Sequence, residues 1–176
     1  MTKKKYLHKH FFGFLIVFLV LQACEDKKEI SSIDPISWES RQIAIPENDS
    51  LASGETYLSI YSEIYSQTEH ITHDLTATIS MRNTSREDTI YVERADYYAT
   101  NGKLIRTYFD APIFIAPMET IEIVIDETDR SGGTGANFVF DWQANLNATE
   151  PVFDAVMIST SGQQGLSFTT QGIRTK

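Results

Sequence analysis

Apolar and polar residues take turns along this chain. Leu75, Ala77, Ile79 and Met81 alternate with Thr76, Thr78, Ser80 and Arg82, and Ile121, Ile123 and Ile125 alternate with Glu122, Val124 and Asp126. A period of two sends each set to one face of a strand, whereas a helix would scatter both sets around its axis. These segments therefore read as strands with one buried and one wet face, the habit of antiparallel sheets. Phe138, Phe140 and Trp142 alternate with Val139, Asp141 and Gln143, placing three large rings on one face. Rings so placed make a core rather than an aromatic box.

Strands are expected near 57–64, 74–83, 89–98, 103–110, 119–127, 136–144, 152–160 and 166–171. Asn101-Gly102 is the two-residue signal of a type I′ hairpin, both of whose central positions need positive φ. Asn83 to Asp88 and Ala116-Pro117 close other connections, and Pro151 belongs at a strand entry or edge. The expected fold is all-β, an immunoglobulin-like antiparallel β-sandwich of about 7–8 strands, with a barrel as the alternative.

The N-terminus reads as a processing signal. Lys3, Lys4, Lys5 and Lys9 precede an apolar run from Phe11 to Leu21. As a helix this run spans roughly 16 Å, too short for roughly 30 Å of hydrocarbon. Leu21-Gln22-Ala23-Cys24 resembles the processing site of bacterial lipoproteins, although Gln22 stands where a small residue is usual. The resemblance implies cleavage after Ala23, acylation of Cys24 (palmitate among the chains) and anchoring to an envelope membrane, with the outer membrane expected. The divisions that follow are a signal peptide at 1–23, a lipidated flexible tether at 24–54 and a β-sandwich domain at 55–176.

Pro35, Pro46 and Gly54 interrupt the tether, which sustains no apolar period. Thirty flexible residues reach roughly 30 Å. The charged Glu25 to Glu29 reads as a solvated spacer, a sorting signal being the alternative. Cys24 is the only cysteine, so neither an intrachain disulfide nor a second thiol exists. Loss of the four signal lysines takes the formal charge from −9 to −13. Nucleic acid is not an expected partner, because binding a phosphate backbone needs a basic face.

The stretch Asp126 to Asn137 turns from acidic to glycine-rich between two strands. Gly133-Thr134-Gly135 lacks the Lys and Ser/Thr of a phosphate-binding loop. Read as an EF-hand, Glu127, Asp129, Ser131 and Gly132 fill positions 1, 3, 5 and 6, but Phe138 stands where the bidentate acid belongs. A calcium-binding β-roll needs stacked copies, and Gly132 to Asn137 occurs once. No cofactor is expected, calcium being the one ion that Asp126, Glu127, Asp129 and Asn137 would suit. Glu69, His70, His73 and Asp74 form a second, weaker metal candidate.

A catalytic triad would need His70 or His73, and Ser167 lacks a nucleophile-elbow pattern. Asp141, Glu150 and Asp154 are available as paired acids, as some acids are in any acidic chain. Tyr57, Tyr61 and Tyr65, placed along the first strand, cover an edge or stack on sugar. If consecutive strands reverse direction, the loops at 65–73, 99–102, 128–135 and 161–165 share one end. That end gathers the histidines, the Asn-Gly turn, Ser131, Gly132, Gly133 and Gly135, and the loop Gly162, Gln163, Gln164 and Gly165. Rigid sandwiches carry binding on such loops.

Several runs resemble the bacterial family catalogued as DUF3124: Leu75 to Thr84, Asp96 to Tyr98 with Asn101 to Leu104, Ser131 to Phe138, Val156 to Ile158, and Gly162 to Phe168. The resemblance covers about residues 57 to 172 and assigns no residue a role. The expected function is non-catalytic binding of a protein or glycan by an envelope-anchored module. A structural subunit of an envelope complex and a glycan hydrolase are the alternatives.

Overall fold

The computed structural model describes residues 37–47, 50–160 and 165–176. The signal segment, Cys24 and the tether to residue 36 lie outside the described residues. The alternating segments form strands β1 (Leu51–Ile60), β2 (Glu63–Ser66), β3 (Thr68–Asp74), β4 (Thr76–Arg82), β5 (Ile90–Tyr98) and β6 (Leu104–Thr107). They continue as β7 (Ile113–Ile115), β8 (Thr120–Ile125), β9 (Ala136–Asn145), β10 (Val152–Ser159), β11 (Leu166–Gln171) and β12 (Ile173–Arg174). One sheet has the order β12-β1-β9-β5-β6, with β7 also on β5; the other has the order β11-β10-β4-β8. Every pairing is antiparallel and neither sheet closes on itself, so the fold is a β-sandwich and not a barrel.

The core lies where the alternation places it. On β9, Phe138, Phe140 and Trp142 are buried and the residues between them half-buried. Phe140 stacks on Phe138 at 5.4 Å and on Phe153 of the opposite sheet at 4.3 Å, so one column of rings joins the layers. Tyr97 extends the column on Phe138 at 4.9 Å.

Several expectations change. The domain begins earlier than residue 55, because β1 starts at Leu51 and pairs with β9 along its whole length. Gly54, read as a breaker, lies inside β1, where a Cβ would come 2.2 Å from the Trp142 ring. It is a site of close approach rather than a loop. The end of the expected tether is also docked: the Trp38 ring lies 5.3 Å from Phe109, Arg41 bonds Glu119 at 2.7 Å, and Ile43 N–H donates to Pro112 O.

Residues 65–73 are not a loop but most of the β2–β3 ribbon, which turns through Gln67 at φ 55°. Tyr61 and Tyr65 therefore leave the first strand, where Tyr57 remains. The strand expected at 103–110 ends at Thr107, and β7 follows on the same edge of β5. At Asn101-Gly102, only Gly102 has positive φ, at 77°. Gly102 N–H donates to Ala99 O and Ala99 N–H to Lys103 O, giving a longer turn with a bulge at Tyr97/Tyr98 instead of a type I′ pair.

Candidate functional site

The register brings the unusual loops to one end. Ile60 pairs with Ala136 and Tyr98 with Asn137, so β1 and β5 finish where β9 begins. In the facing sheet Ile158 pairs with Thr76, and Ala77 with Ile125, so β10 and β8 finish where β4 begins. The extra strands leave this parity intact, since β2 and β3 go out and back and β6 and β7 run as one interrupted edge.

Gly132 is the buried centre of this end. It belongs to a short 3-10 segment, Arg130–Gly135, whose first turn Asp129 caps by accepting from Ser131 N–H at 3.1 Å. A Cβ on Gly132 would fall 2.0 Å from Tyr97 Oη and 2.6 Å from Ser62 Oγ, two groups that share a hydrogen bond of 2.8 Å. Gly133 follows at φ 73°, beyond easy reach of a side chain. Thr100 ties the Asn-Gly turn to this segment: its hydroxyl donates to Gly132 O at 2.9 Å and accepts from Gly135 N–H at 2.8 Å. Ser62 N–H donates to Gly133 O and Leu75 N–H to Ser62 O, binding both flanks of the ribbon to the same centre.

Charges close the rim. Arg106 donates to Asp129 at 3.3 Å and to Tyr108 Oη at 2.9 Å, and Arg130 pairs with Asp74 at the foot of β3. Asp126 accepts from Thr128 N–H and Oγ1–H, and these bonds hold its carboxyl below the usual range. Burial raises the Tyr97 phenol and pushes Tyr108 up to about 12, against the pull of Arg106. In the unfolded chain a tyrosine ionises near pH 10. Between about pH 10 and 12 the folded state therefore holds a proton that the unfolded state has lost, and stability falls as pH rises. An alkaline titration of tyrosinate absorbance should show the Tyr108 ring ionising last, together with unfolding.

The metal candidates do not come together. Among the described residues no three of His, Cys, Asp and Glu converge. Asp129 is engaged by Ser131 and Arg106, Asp126 by Thr128, Glu127 is half-buried, and Asn137 lies on β9 opposite Ser59 and Tyr98. His70 and His73 are exposed on β3, and His70 Nε2 stands 3.6 Å from Glu69. Gly165 precedes β11 at this end, whereas Gly162, Gln163 and Gln164 lie outside the described residues.

Sequence alone assigned no role to Thr100, Ser62, Tyr97 or Arg106, which act only through their partners. It also missed a second feature, on the outer face of the six-stranded sheet. A bulge between Val92 and Arg94 aims Arg94 at Asp141, at 2.7 Å, and at the buried Asp96, at 3.2 Å. Beside them Ser53, Gly54, Glu55, Glu93, Asp141 and Lys176 line a polar cavity of about 240 Å³.

Residues 53–175 match a family described as protein of unknown function, DUF3124. The chain belongs to the DUF3124 family. Among curated proteins, none matches this DUF3124 chain. A solved structure titled "Crystal Structure of Thermotoga maritima 1070" is similar to it at 12% identity and a TM-score of 0.44. The likeness covers 68% of this chain and 92% of that one. The DUF3124 match opens inside β1 and closes after β12, so it takes in nearly all of the sandwich, with strands of both sheets and the 126–135 loop.

Proposed function

We propose that this protein is an exported, lipid-anchored module of the bacterial envelope that binds a protein or glycan through the loop end of its sandwich and performs no chemistry there. The observation that carries this reading is the gathering of the connections 61–75, 99–103 and 126–135 around Gly132, held by Thr100, Ser62 and Tyr97. Loops fixed by such bonds lose little freedom when a partner docks, which favours affinity. The Cys24 anchor rests on the lipoprotein-like signal. A Cys24→Ser chain should leave the membrane fraction.

A thermal-shift titration of the full chain with calcium, zinc and a panel of envelope glycans tests the binding. A ligand held only by the native state stabilises it by about 2.7 kcal/mol at a hundredfold excess over Kd. The shift should disappear in Arg130→Ala, or in Asp129→Ala if calcium causes it. A second reading, a structural subunit of an envelope assembly, draws on the β2–β3 ribbon, whose Tyr65 and Ile71 are 60% and 49% exposed. Copurification with a fixed partner, lost on Ile71→Lys, would favour it.

A further inference from the structure

After β11 the chain crosses from one sheet to the other at Gly172, whose N–H donates to Phe153 O at 2.8 Å. A Cβ there would lie 2.7 Å from Thr56 Cγ2 and 3.0 Å from Phe153 O, so the crossing needs glycine. The following residues, 173–176, form a strap along the outer edge of β1. Only Thr56 and Tyr57 pair with β12. The strap buries little apolar surface, Ile173 being 67% exposed. Its hold comes from backbone bonds to Glu55 and from charge. Thr175 N–H donates to Glu55 O at 2.8 Å, Thr175 Oγ1 to Glu55 Oε1 at 2.7 Å, and Lys176 Nζ to Glu55 Oε2 at 2.6 Å. Arg174 pairs with Glu150 and lies 5.3 Å from the centre of the Trp142 ring.

The same short segment walls two cavities. Lys176 lines the polar cavity of about 240 Å³ with Glu55, Glu93 and Asp141. Arg174 and Gly172 line a second of about 130 Å³ with Glu150 and Phe153. Exposed ion pairs contribute little to stability and are screened by salt. A segment held by them opens locally at far lower cost than the sandwich unfolds.

We infer that residues 173–176 are a latch held by a few backbone bonds and by charge, hinged at Gly172, that walls one side of the open cavity on the outer sheet face and detaches while the sandwich stays folded. Opening removes Lys176 from Glu55, leaves Glu55, Glu93 and Asp141 facing the cavity, and frees the edge of β1. Glu55 is the residue on which the latch closes. This inference is independent of what the loop end binds.

Hydrogen exchange of the full chain, followed by mass spectrometry, tests it. Raising salt, or Glu55→Gln at low salt, should speed exchange of the amides of Arg174 to Lys176 by about two- to fivefold and leave the centre of β9 unchanged. Lys176→Met should act like Glu55→Gln. Strap exchange that responds to neither salt nor the substitutions would overturn the inference. So would loss of protection spreading to β9, which would make the strap a staple of the fold.

Discussion

Replacing Gly132 by alanine is expected to destabilise the domain by about 3 kcal/mol, the upper range for forcing atoms into a packed site. The new methyl would fall 2.0 Å from Tyr97 Oη and 2.8 Å from Ala136 Cβ. Tyr97 cannot give way cheaply: it is fully buried, stacked on Phe138 and bonded to Ser62. Any shift of the segment also breaks the Thr100 bonds to Gly132 and Gly135. Gly102→Ala supplies the comparison. Nothing lies within 4 Å of its Cβ, and only its φ of 77° opposes the change, so about 1 kcal/mol is expected. Denaturant midpoints of the two variants separate packing from backbone strain. Equal losses would mean that the loop end is looser than its contacts indicate.

Phe140→Ala should cost about 3 to 5 kcal/mol, the usual range for deleting a buried aromatic side chain. Phe140 has no exposed surface and sits between Phe138 on its own strand and Phe153 across the sandwich. Its loss would break the ring column that joins the layers and leave a cavity between two backbones fixed by their ladders. Phe168→Ala, at the edge of the core against Tyr61, should cost markedly less. Denaturant unfolding followed by tryptophan fluorescence would report both, and a Phe140→Ala loss no larger than that of Phe168→Ala would contradict the packing described.

Strand faces were legible because a period of two is local: β4, β8 and β9 lie where alternation puts them, with their apolar sets inward. The gathering of the described loops at 61–75, 99–103 and 126–135 was legible through parity alone, and it survived a miscount because the additional strands reverse in pairs or continue an interrupted edge. Turn geometry was less legible. Asn101-Gly102 suits two turn types, and the bulge beside Tyr98 selects the one with a single left-handed residue. Gly54 and Gly132 look alike as letters, yet the first makes room for Trp142 and the second for Tyr97, contacts from residues far away in the chain. Trp38 and Arg41 carry no period, and only their docking on Phe109 and Glu119 shows that the segment from Ser37 belongs to the domain. Bonds such as those of Thr100 and Arg106 exist only once the loops meet.

The most direct measurement is the thermal-shift titration run in parallel on the full chain, on Arg130→Ala at the loop end and on Asn147→Ala in the β9–β10 connection at the opposite end. Arg130 is exposed and its pair with Asp74 is a surface one, so its loss should barely change the unliganded midpoint. A glycan from the panel, or a partner recovered by crosslinking at the loop end, should raise the midpoint of the unaltered chain and of Asn147→Ala but not of Arg130→Ala. A shift that survives Arg130→Ala and vanishes in Asn147→Ala would place binding at the other end of the sandwich and contradict the proposal.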